Sequence, residues 1–140
     1  MHVTYIMSIM NRWKTSKTAL YNLSYHLIWC PKYRRSVLSP EIQDRMLILL
    51  REKAAQLEVD IVEANILPDH VHLFVRLKPI HSPHFVIGQF KGYTSNVLRH
   101  EFSKLKSRLP TLWTRSYFVD SVGKLNEKTI RRYVRNQKNK

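Results

Sequence analysis

The strand that decides the fold of this chain is the stretch Pro68-Asp69-His70-Val71-His72-Leu73-Phe74-Val75. Side chains on a β-strand alternate between the two faces, so His70 and His72 lie together on one face. Val71 and Leu73 lie on the opposite face, which predicts a strand packed against an apolar core. Two imidazoles on one face of a strand can supply two nitrogen ligands to a metal ion. The stretch therefore predicts a sheet with a metal site on its polar face.

A strand and a helix precede this stretch. Residues 21–29 alternate aromatic or leucine side chains with Asn, Ser, His and Ile, which predicts a strand that Pro31 ends. The run Ser39-Pro40-Glu41 is typical of a helix N-cap with proline at the first helical position, and it predicts a helix to about residue 57. The buried stripe of this helix is predicted to consist of Ile42, Met46, Leu49, Leu50 and Ala54.

The other elements are bounded by proline, serine and glycine. Pro68 separates two strands that are close enough to form a hairpin, Ser82-Pro83 caps a second helix, and Gly123 ends a fourth strand. Asn126 caps a final helix, with Glu127 in its first turn. The predicted elements are strands over 59–67 and 70–77, a helix over 82–105, a strand over 116–122 and a helix over 127–137.

The predicted order is β-α-β-β-α-β-α, which is the ferredoxin-like split β-α-β order with an added C-terminal helix. Right-handed crossovers then place two helices on one face of a four-stranded antiparallel sheet. The predicted fold class is α+β, and the C-terminal helix carries Tyr133. The length predicts one domain over residues 20–140, and residues 1–19 are predicted to be a flexible basic arm.

The composition is strongly basic. The 24 Lys and Arg residues against 10 Asp and Glu residues give a formal net charge of +14, which indicates a polyanion partner such as nucleic acid. Cys30 is the only cysteine, which excludes an intrachain disulfide and a multi-cysteine zinc site and favours the cytoplasm. No apolar run approaches the roughly 20 residues that span a bilayer, so no membrane contact is predicted.

A metal site on the histidine pair needs a third ligand, because two imidazoles alone hold a divalent ion weakly. Tyr133 and Gln137 are four residues apart in the predicted C-terminal helix and hence lie on one helix face. The amide oxygen of Gln137 suits Mg²⁺ or Mn²⁺. Such a ligand set leaves positions where a phosphodiester oxygen can bind. The alternative is a solvated histidine face without a metal.

Tyr133 is the candidate nucleophile beside this site. Its phenol oxygen can attack a phosphorus atom and form a covalent phosphotyrosine. Free tyrosine has a pKa of about 10, so its phenolate needs stabilisation. Arg131, Arg132 and Arg135 are predicted to supply it if they lie near the ring. The alternative is a helical tyrosine that only packs.

Several segments carry a resemblance to a known family. They are residues 68–75, Tyr25-His26-Leu27-Ile28-Trp29 with Lys32-Tyr33-Arg34, Ser116-Tyr117-Phe118-Val119, and Ile130-Arg131-Arg132-Tyr133-Val134 with Gln137. In this order and spacing they resemble the single-tyrosine HUH transposases of small insertion sequences, in which a hydrophobic residue, here Val71, separates the two histidines. The resemblance extends from about residue 21 to residue 137.

The resemblance implies a metal-dependent transposase that cuts and rejoins single-stranded DNA at the hairpin-marked ends of a mobile element. It implies that His70 and His72 bind the metal and that Gln137 completes the ligand set. Tyr133 would be the nucleophile, forming a 5′-phosphotyrosine and leaving a free 3′-hydroxyl. It also implies a homodimer in which the tyrosine helix of one subunit serves the metal site of the other.

Basic residues are predicted to line the DNA path, and Asp69 is predicted either to orient His70 or to shape its turn. Three alternative functions stay open: a non-catalytic nucleic-acid-binding module on the same fold, a domesticated relative acting on repeated chromosomal hairpins, and a nuclease that activates water. The predicted DNA-binding residues are Lys32, Arg34, Arg35, Lys91, Arg131 and Arg132.

Overall fold

The computed structural model describes residues 14–15, 20–21, 23–121 and 127–139, with side chains described at 23–121 and 132–138. Two short strands, β1 (Lys14–Thr15) and β2 (Leu20–Tyr21), pair antiparallel where the predicted arm joins the predicted domain. Residues 1–13 and 16–19 of the predicted arm lie outside the described residues.

The main sheet has four strands in the order β4-β5-β3-β6, and every neighbouring pair is antiparallel. The hairpin strands β4 and β5 follow each other in sequence, whereas β3 lies between β5 and β6 although it precedes β4 in the chain. One long connection leads from β3 to β4 and another from β5 to β6. This is the ferredoxin-like split β-α-β order, so the predicted α+β class is confirmed. The strands are β3 (Ser24–Trp29), β4 (Asp60–Leu67), β5 (His70–Arg76) and β6 (Phe118–Ser121).

Two long helices begin at the capping serines that the sequence predicts. The hydroxyls of Ser39 and Ser82 each accept a hydrogen bond from the backbone N–H three residues later, at 3.4 and 3.1 Å. These contacts satisfy N–H groups that have no partner within the helix. The helices are α1 (Pro40–Leu57), α2 (Pro83–Glu101), α3 (Ser103–Arg108) and α4 (Glu127–Asn136), and a 3-10 turn (Gln137–Asn139) follows α4.

The core lies between one sheet face and helices α1 and α2. The alternation of β5 buries Val71, Leu73 and Val75 completely on this face. The Trp29 ring of β3 stacks on Phe90 of α2, with 6.4 Å between the ring centroids. The buried residues of α1 are the five that the stripe predicts. The opposite sheet face is thereby left for the histidines.

The second predicted helix is wrong at its C-terminal end. The helix was expected to continue to residue 105, but α2 ends at Glu101 and Phe102 adopts an extended conformation (φ −121°, ψ 94°). The chain then turns into α3, which buries Leu105 against the same core. The apolar spacing from Val97 to Leu105 is helical throughout, so the break depends on tertiary packing.

The fourth strand is shorter than residues 116–122. It begins at Phe118. Before it, the Thr114 N–H bonds to the carbonyl oxygen of Cys30, directly after β3, and the carbonyl oxygens of residues 114–116 accept from the Lys91 ammonium. The predicted end at Val122 and the predicted cap Asn126 lie outside the described residues. Across the described ranges, no helix combines the length and apolar character needed to cross a membrane.

Candidate metal and tyrosine site

The histidine pair lies on the sheet face opposite the core. His70 and His72 alternate with the buried Val71 along β5, and both histidines are partly exposed. Ile28 of β3 is the cross-strand partner of His72 on one side and of Phe118 on the other. Because cross-strand partners share a face, these side chains form one row across the sheet.

Asp69 orients the His70 ring. Its Oδ1 accepts a hydrogen bond from Nδ1 of His70 at 2.8 Å, so the predicted contact between the two residues is present. With the proton held on Nδ1, the lone pair of Nε2 is available to a ligand. One half of the candidate metal site is therefore oriented by its neighbour in sequence.

His72 contacts a third histidine, His26, which the sequence predicts to be structural or exposed and not a metal ligand. Its Nε2 lies 3.0 Å from Nδ1 of His26, and the ring centroids are 5.2 Å apart. Burial lowers the pKa of His72, and the nearby rings of His26 and His70 lower it further. The lowered pKa favours the neutral imidazole that binds metals. Strand alternation puts His26 on the histidine face, but only the register shows which histidine it meets.

Tyr133 lies on α4, and its ring packs against Phe118 with 5.4 Å between centroids. Its hydroxyl is buried and has no hydrogen-bond partner among the described residues. Burial raises the pKa of Tyr133 to about 12; the neighbouring Cys30 also raises it, and Ser116 offsets part of the rise. In this conformation Tyr133 is therefore a neutral phenol at physiological pH.

Two of the three arginines predicted to favour the Tyr133 phenolate do not affect its pKa in this conformation. Arg132 and Arg135 are exposed, and neither contributes to the pKa of Tyr133. The side chain of Arg131 lies outside the described residues. Arg132 and Arg135 are surrounded by solvent, and screening by water and salt weakens the effect of their charge on the buried Tyr133 hydroxyl.

Gln137 is only 2% exposed, and its amide is engaged within its own chain. Its Oε1 accepts a hydrogen bond from the Ser116 hydroxyl at 2.7 Å, and its Nε2 donates to the Tyr133 carbonyl oxygen at 3.3 Å. Neither of these hydrogen bonds joins Gln137 to His70 or His72. The Gln137 oxygen is thus bound to Ser116 in this conformation, and its place in the metal site stays a prediction.

Among the described residues, no cluster of three or more His, Cys, Asp or Glu side chains could hold a metal ion. The predicted ligand set is of another kind, because its third ligand is the amide oxygen of Gln137. The donors that favour a metal are the oriented ring of His70 and the neutral ring of His72.

The predicted DNA-binding residues differ in their surroundings. Arg35 and Arg132 are exposed, and the Lys32 ammonium lies 5.3 Å from the centre of the exposed Tyr33 ring. Arg34 instead contacts Asp69 and the carbonyl oxygen of Val134. A role in DNA binding stays a prediction for each of them.

Lys91 is partly buried rather than directed into solvent. Its Nζ donates to the carbonyl oxygens of Thr114, Ser116 and Arg115 at 2.7, 3.2 and 3.4 Å. Burial lowers the pKa of Lys91 to about 8. These contacts favour a role in holding the loop at residues 114–116, while the predicted role in DNA binding is untested.

Known proteins place this architecture in a class of DNA-processing enzymes, the transposases of mobile elements. The family whose pattern matches residues 19–137 is described as Transposase IS200 like. This chain belongs to that family.

Similar proteins cover most of the chain. The ISDra2 transposase TnpA of Deinococcus radiodurans is 33% identical over 129 residues, which are 91% of this chain and 92% of that protein. The transposase for insertion sequence element IS200 of Salmonella typhimurium is 34% identical over 119 residues, covering 84% and 78% of the two chains.

Solved structures agree on the fold. A Deinococcus radiodurans crystal structure assigned as a transposase has a TM-score of 0.83 and 33% identity, and covers 89% of this chain and 97% of that chain. The structure of a REP-associated tyrosine transposase bound to a REP hairpin has a TM-score of 0.57 and 15% identity, with 86% and 67% covered. At this identity the second likeness concerns the fold alone.

Proposed function

We propose that this protein cleaves and rejoins single-stranded DNA through a covalent bond between Tyr133 and a 5′-phosphate. The observation that carries the proposal is that the histidine pair and the tyrosine share one face of the sheet. His72 and Phe118 are both partners of Ile28, and the Tyr133 ring packs on Phe118. Neighbouring strands are about 4.8 Å apart, so His72 lies two strand spacings from Phe118, the residue on which the Tyr133 ring packs.

The chemistry conserves phosphoester bonds. The Tyr133 oxygen attacks the phosphorus and forms a new P–O bond, while the bond from phosphorus to the 3′ oxygen of the preceding nucleotide breaks. The 3′ oxygen takes up a proton and leaves as a hydroxyl, and the phenol proton passes to solvent. Attack by another 3′-hydroxyl on the phosphotyrosine reverses these changes. Rejoining therefore needs no ATP.

His70 and His72 would hold Mg²⁺ or Mn²⁺, with Gln137 as the proposed third ligand. The contact from Asp69 to His70 and the low pKa of His72 support the histidine part of this assignment. The Gln137 oxygen would first have to leave the Ser116 hydroxyl. When bound, such an ion polarises a phosphodiester oxygen and stabilises the charge that develops on it.

Tyr133 has to change its surroundings before it reacts. Its phenol is buried and has a pKa of about 12, so almost none of the Tyr133 side chain is ionised at neutral pH. We propose that DNA binding exposes the hydroxyl to the phosphodiester at the histidine pair. The chain thus keeps its nucleophile protected when no substrate is bound.

The proposed substrate is single-stranded DNA with hairpin-marked ends. The formal net charge of +14 supports a polyanion, and family membership supports DNA as that polyanion. A protein of the same fold is described as bound to a REP hairpin. We also propose a homodimer with composite sites, in which each tyrosine helix serves the partner's histidines.

The test uses oligonucleotides that carry the imperfect hairpins flanking the gene, with Mg²⁺ or Mn²⁺. Wild type should form a DNA–protein adduct that survives denaturant, and Tyr133→Phe should form none while hairpin affinity stays within about two-fold. Tyr93→Phe is the matched control, because it removes a hydroxyl that bonds to exposed Glu52. An adduct that persists in Tyr133→Phe overturns the nucleophile assignment.

The same assay separates the alternatives. DNA cleavage without an adduct indicates a nuclease that uses activated water, since hydrolysis leaves no covalent species. Hairpin binding without cleavage by wild type indicates a non-catalytic binding module.

A further inference from the structure

Arg34 joins the histidine site to the tyrosine helix. Its Nε lies 3.1 Å from Oδ2 of Asp69, and its Nη1 donates to the carbonyl oxygen of Val134 at 3.0 Å. The other oxygen of Asp69, Oδ1, accepts the hydrogen bond from His70. A continuous line of polar contacts thus runs from a proposed metal ligand to the backbone of α4, one residue after Tyr133.

The backbone around Arg34 is strained. Tyr33 and Arg34 both have positive φ values, 59° and 49°, although neither is a glycine. Residues with a Cβ rarely adopt this region, and they keep it only where the surrounding structure holds them. Here the backbone N–H groups of Lys32 and Arg34 bond to Leu112 and Pro31, each at 2.8 Å. The fold maintains a turn that would otherwise relax.

The turn directs two adjacent arginines to different places. The Arg34 side chain is 18% exposed and lies against Asp69, which is 23% exposed. Arg35, the next residue, has ordinary extended dihedrals and is exposed. The strain is therefore tied to the inward placement of Arg34 and not to a general display of positive charge.

The guanidinium suits this position better than an ammonium would. Arginine offers donors in a planar fork, so it can reach a carboxylate and a carbonyl oxygen at the same time. The Asp69 contact is an ion pair without good hydrogen-bond alignment at Nε, whereas the Val134 contact is a hydrogen bond. A lysine would keep the charge but would lose one of the two contacts.

We infer that Arg34 is a positioning residue that couples the orientation of Asp69 and His70 to the placement of α4, and that it is not a DNA contact. The inference rests on the proposed function, because it takes His70 and Tyr133 as residues of the same reaction, within one chain or across the proposed homodimer. Loss of Arg34 removes the carboxylate's second partner and releases the carbonyl of Val134 together. Both halves of the site are then less well placed, while the sheet and its core stay intact.

Amide hydrogen exchange on the DNA-free protein tests the link directly. We expect Arg34→Ala and Arg34→Lys to speed exchange at residues 132–138 by at least about five-fold, because a local contact that opposes opening is lost. Exchange in β3 and β5 should stay unchanged. Arg51→Ala is the matched control, since Arg51 is an exposed arginine on α1. Unchanged exchange at residues 132–138 in both Arg34 variants overturns the inference. Faster exchange throughout the chain also overturns it, because Arg34 would then support the whole fold and not the placement of α4.

A second measurement uses the hairpin oligonucleotides. At saturating DNA, both Arg34 variants should form the adduct about ten-fold more slowly or worse, with hairpin affinity within two-fold, as for residues that orient metal ligands. A DNA contact predicts the reverse: weaker binding, a salt slope reduced by about 1, and rescue by Arg34→Lys. If wild type forms no adduct, the proposed function fails, and the exchange experiment still decides the role of Arg34.

Discussion

Asp69 serves two neighbours with one carboxylate, at the turn between β4 and β5. One oxygen holds the His70 ring and the other faces Arg34. A carboxylate that accepts a hydrogen bond from Nδ1 of a histidine fixes the tautomer of that ring and strengthens its Nε2 as a metal ligand. The sequence predicts that Asp69 either orients His70 or shapes its turn. In the structure Asp69 orients His70 and also forms an ion pair with Arg34.

Asp69→Asn should weaken Mn²⁺ binding to the DNA-free protein by about ten-fold or more, because the amide lacks the charge that supports the His70 tautomer. Isothermal titration calorimetry measures this affinity. Asp44→Asn on the exposed surface of α1 is the control and should bind Mn²⁺ as wild type does. Equal affinities for the two variants would show that Asp69 only shapes the turn.

At the scale of elements, Lys91 ties helix α2 to the segment that leads into β6. Its three carbonyl acceptors lie at residues 114–116, and the Ser116 hydroxyl in turn holds Gln137 after α4. The C-terminal end of α4 is thereby connected to α2 through the loop at residues 114–116. The carbonyl oxygens before Phe118 are therefore bonded to a side chain from the helix layer.

Lys91→Met should lower the free energy of unfolding by about 1–3 kcal/mol, because it leaves carbonyl groups around the buried Thr114 without a donor. Chemical denaturation measures this change. Lys106→Met on the exposed part of α3 should stay within about 0.5 kcal/mol of wild type.

Hairpin binding by the same variant tests the predicted DNA contact. An anchoring role leaves the salt dependence of binding unchanged in Lys91→Met. A phosphate contact would instead reduce the salt slope by about 1.

At the scale of the whole molecule, the sheet separates two tasks. One face packs on α1 and α2 and builds the core, and the other carries the histidines and the helix with Tyr133. The tyrosine helix packs on its own sheet, with the Gln137 amide hydrogen-bonded to Ser116 and to the Tyr133 carbonyl oxygen. In the composite site that we propose, the tyrosine helix of each subunit would instead serve the histidines of the other.

Mixing two inactive variants distinguishes shared from separate sites. Chains with His70→Ala and His72→Ala lack a metal site, and chains with Tyr133→Phe lack the nucleophile. If sites are shared across a homodimer, random pairing restores roughly a quarter of the wild-type adduct, because half of the dimers are mixed and each has one complete site. If each chain uses its own tyrosine, the mixture forms no adduct.

Local patterns in the sequence were sufficient for much of the fold. The alternation around His70 and His72 determined the strand and its two faces, and the capping serines determined where α1 and α2 begin. These features depend on the alternation of side chains along a strand and on contacts between residues that are close in sequence. Both can be read from a single sequence. The pairing order of the strands then followed from the short hairpin and the handed crossovers.

The contacts that assemble the site were decided only by tertiary structure. His26 and His72 are 46 residues apart, and Arg34 and Val134 are 100 residues apart, so neither pairing has a local signal. Burial of Tyr133, engagement of Gln137 by Ser116 and the inward turn of Arg34 likewise depend on which elements pack together. By itself the sequence predicted which residues carry the chemistry. The register and packing of distant segments decided the partners of those residues, because the free energies of such contacts arise only when the chain is folded.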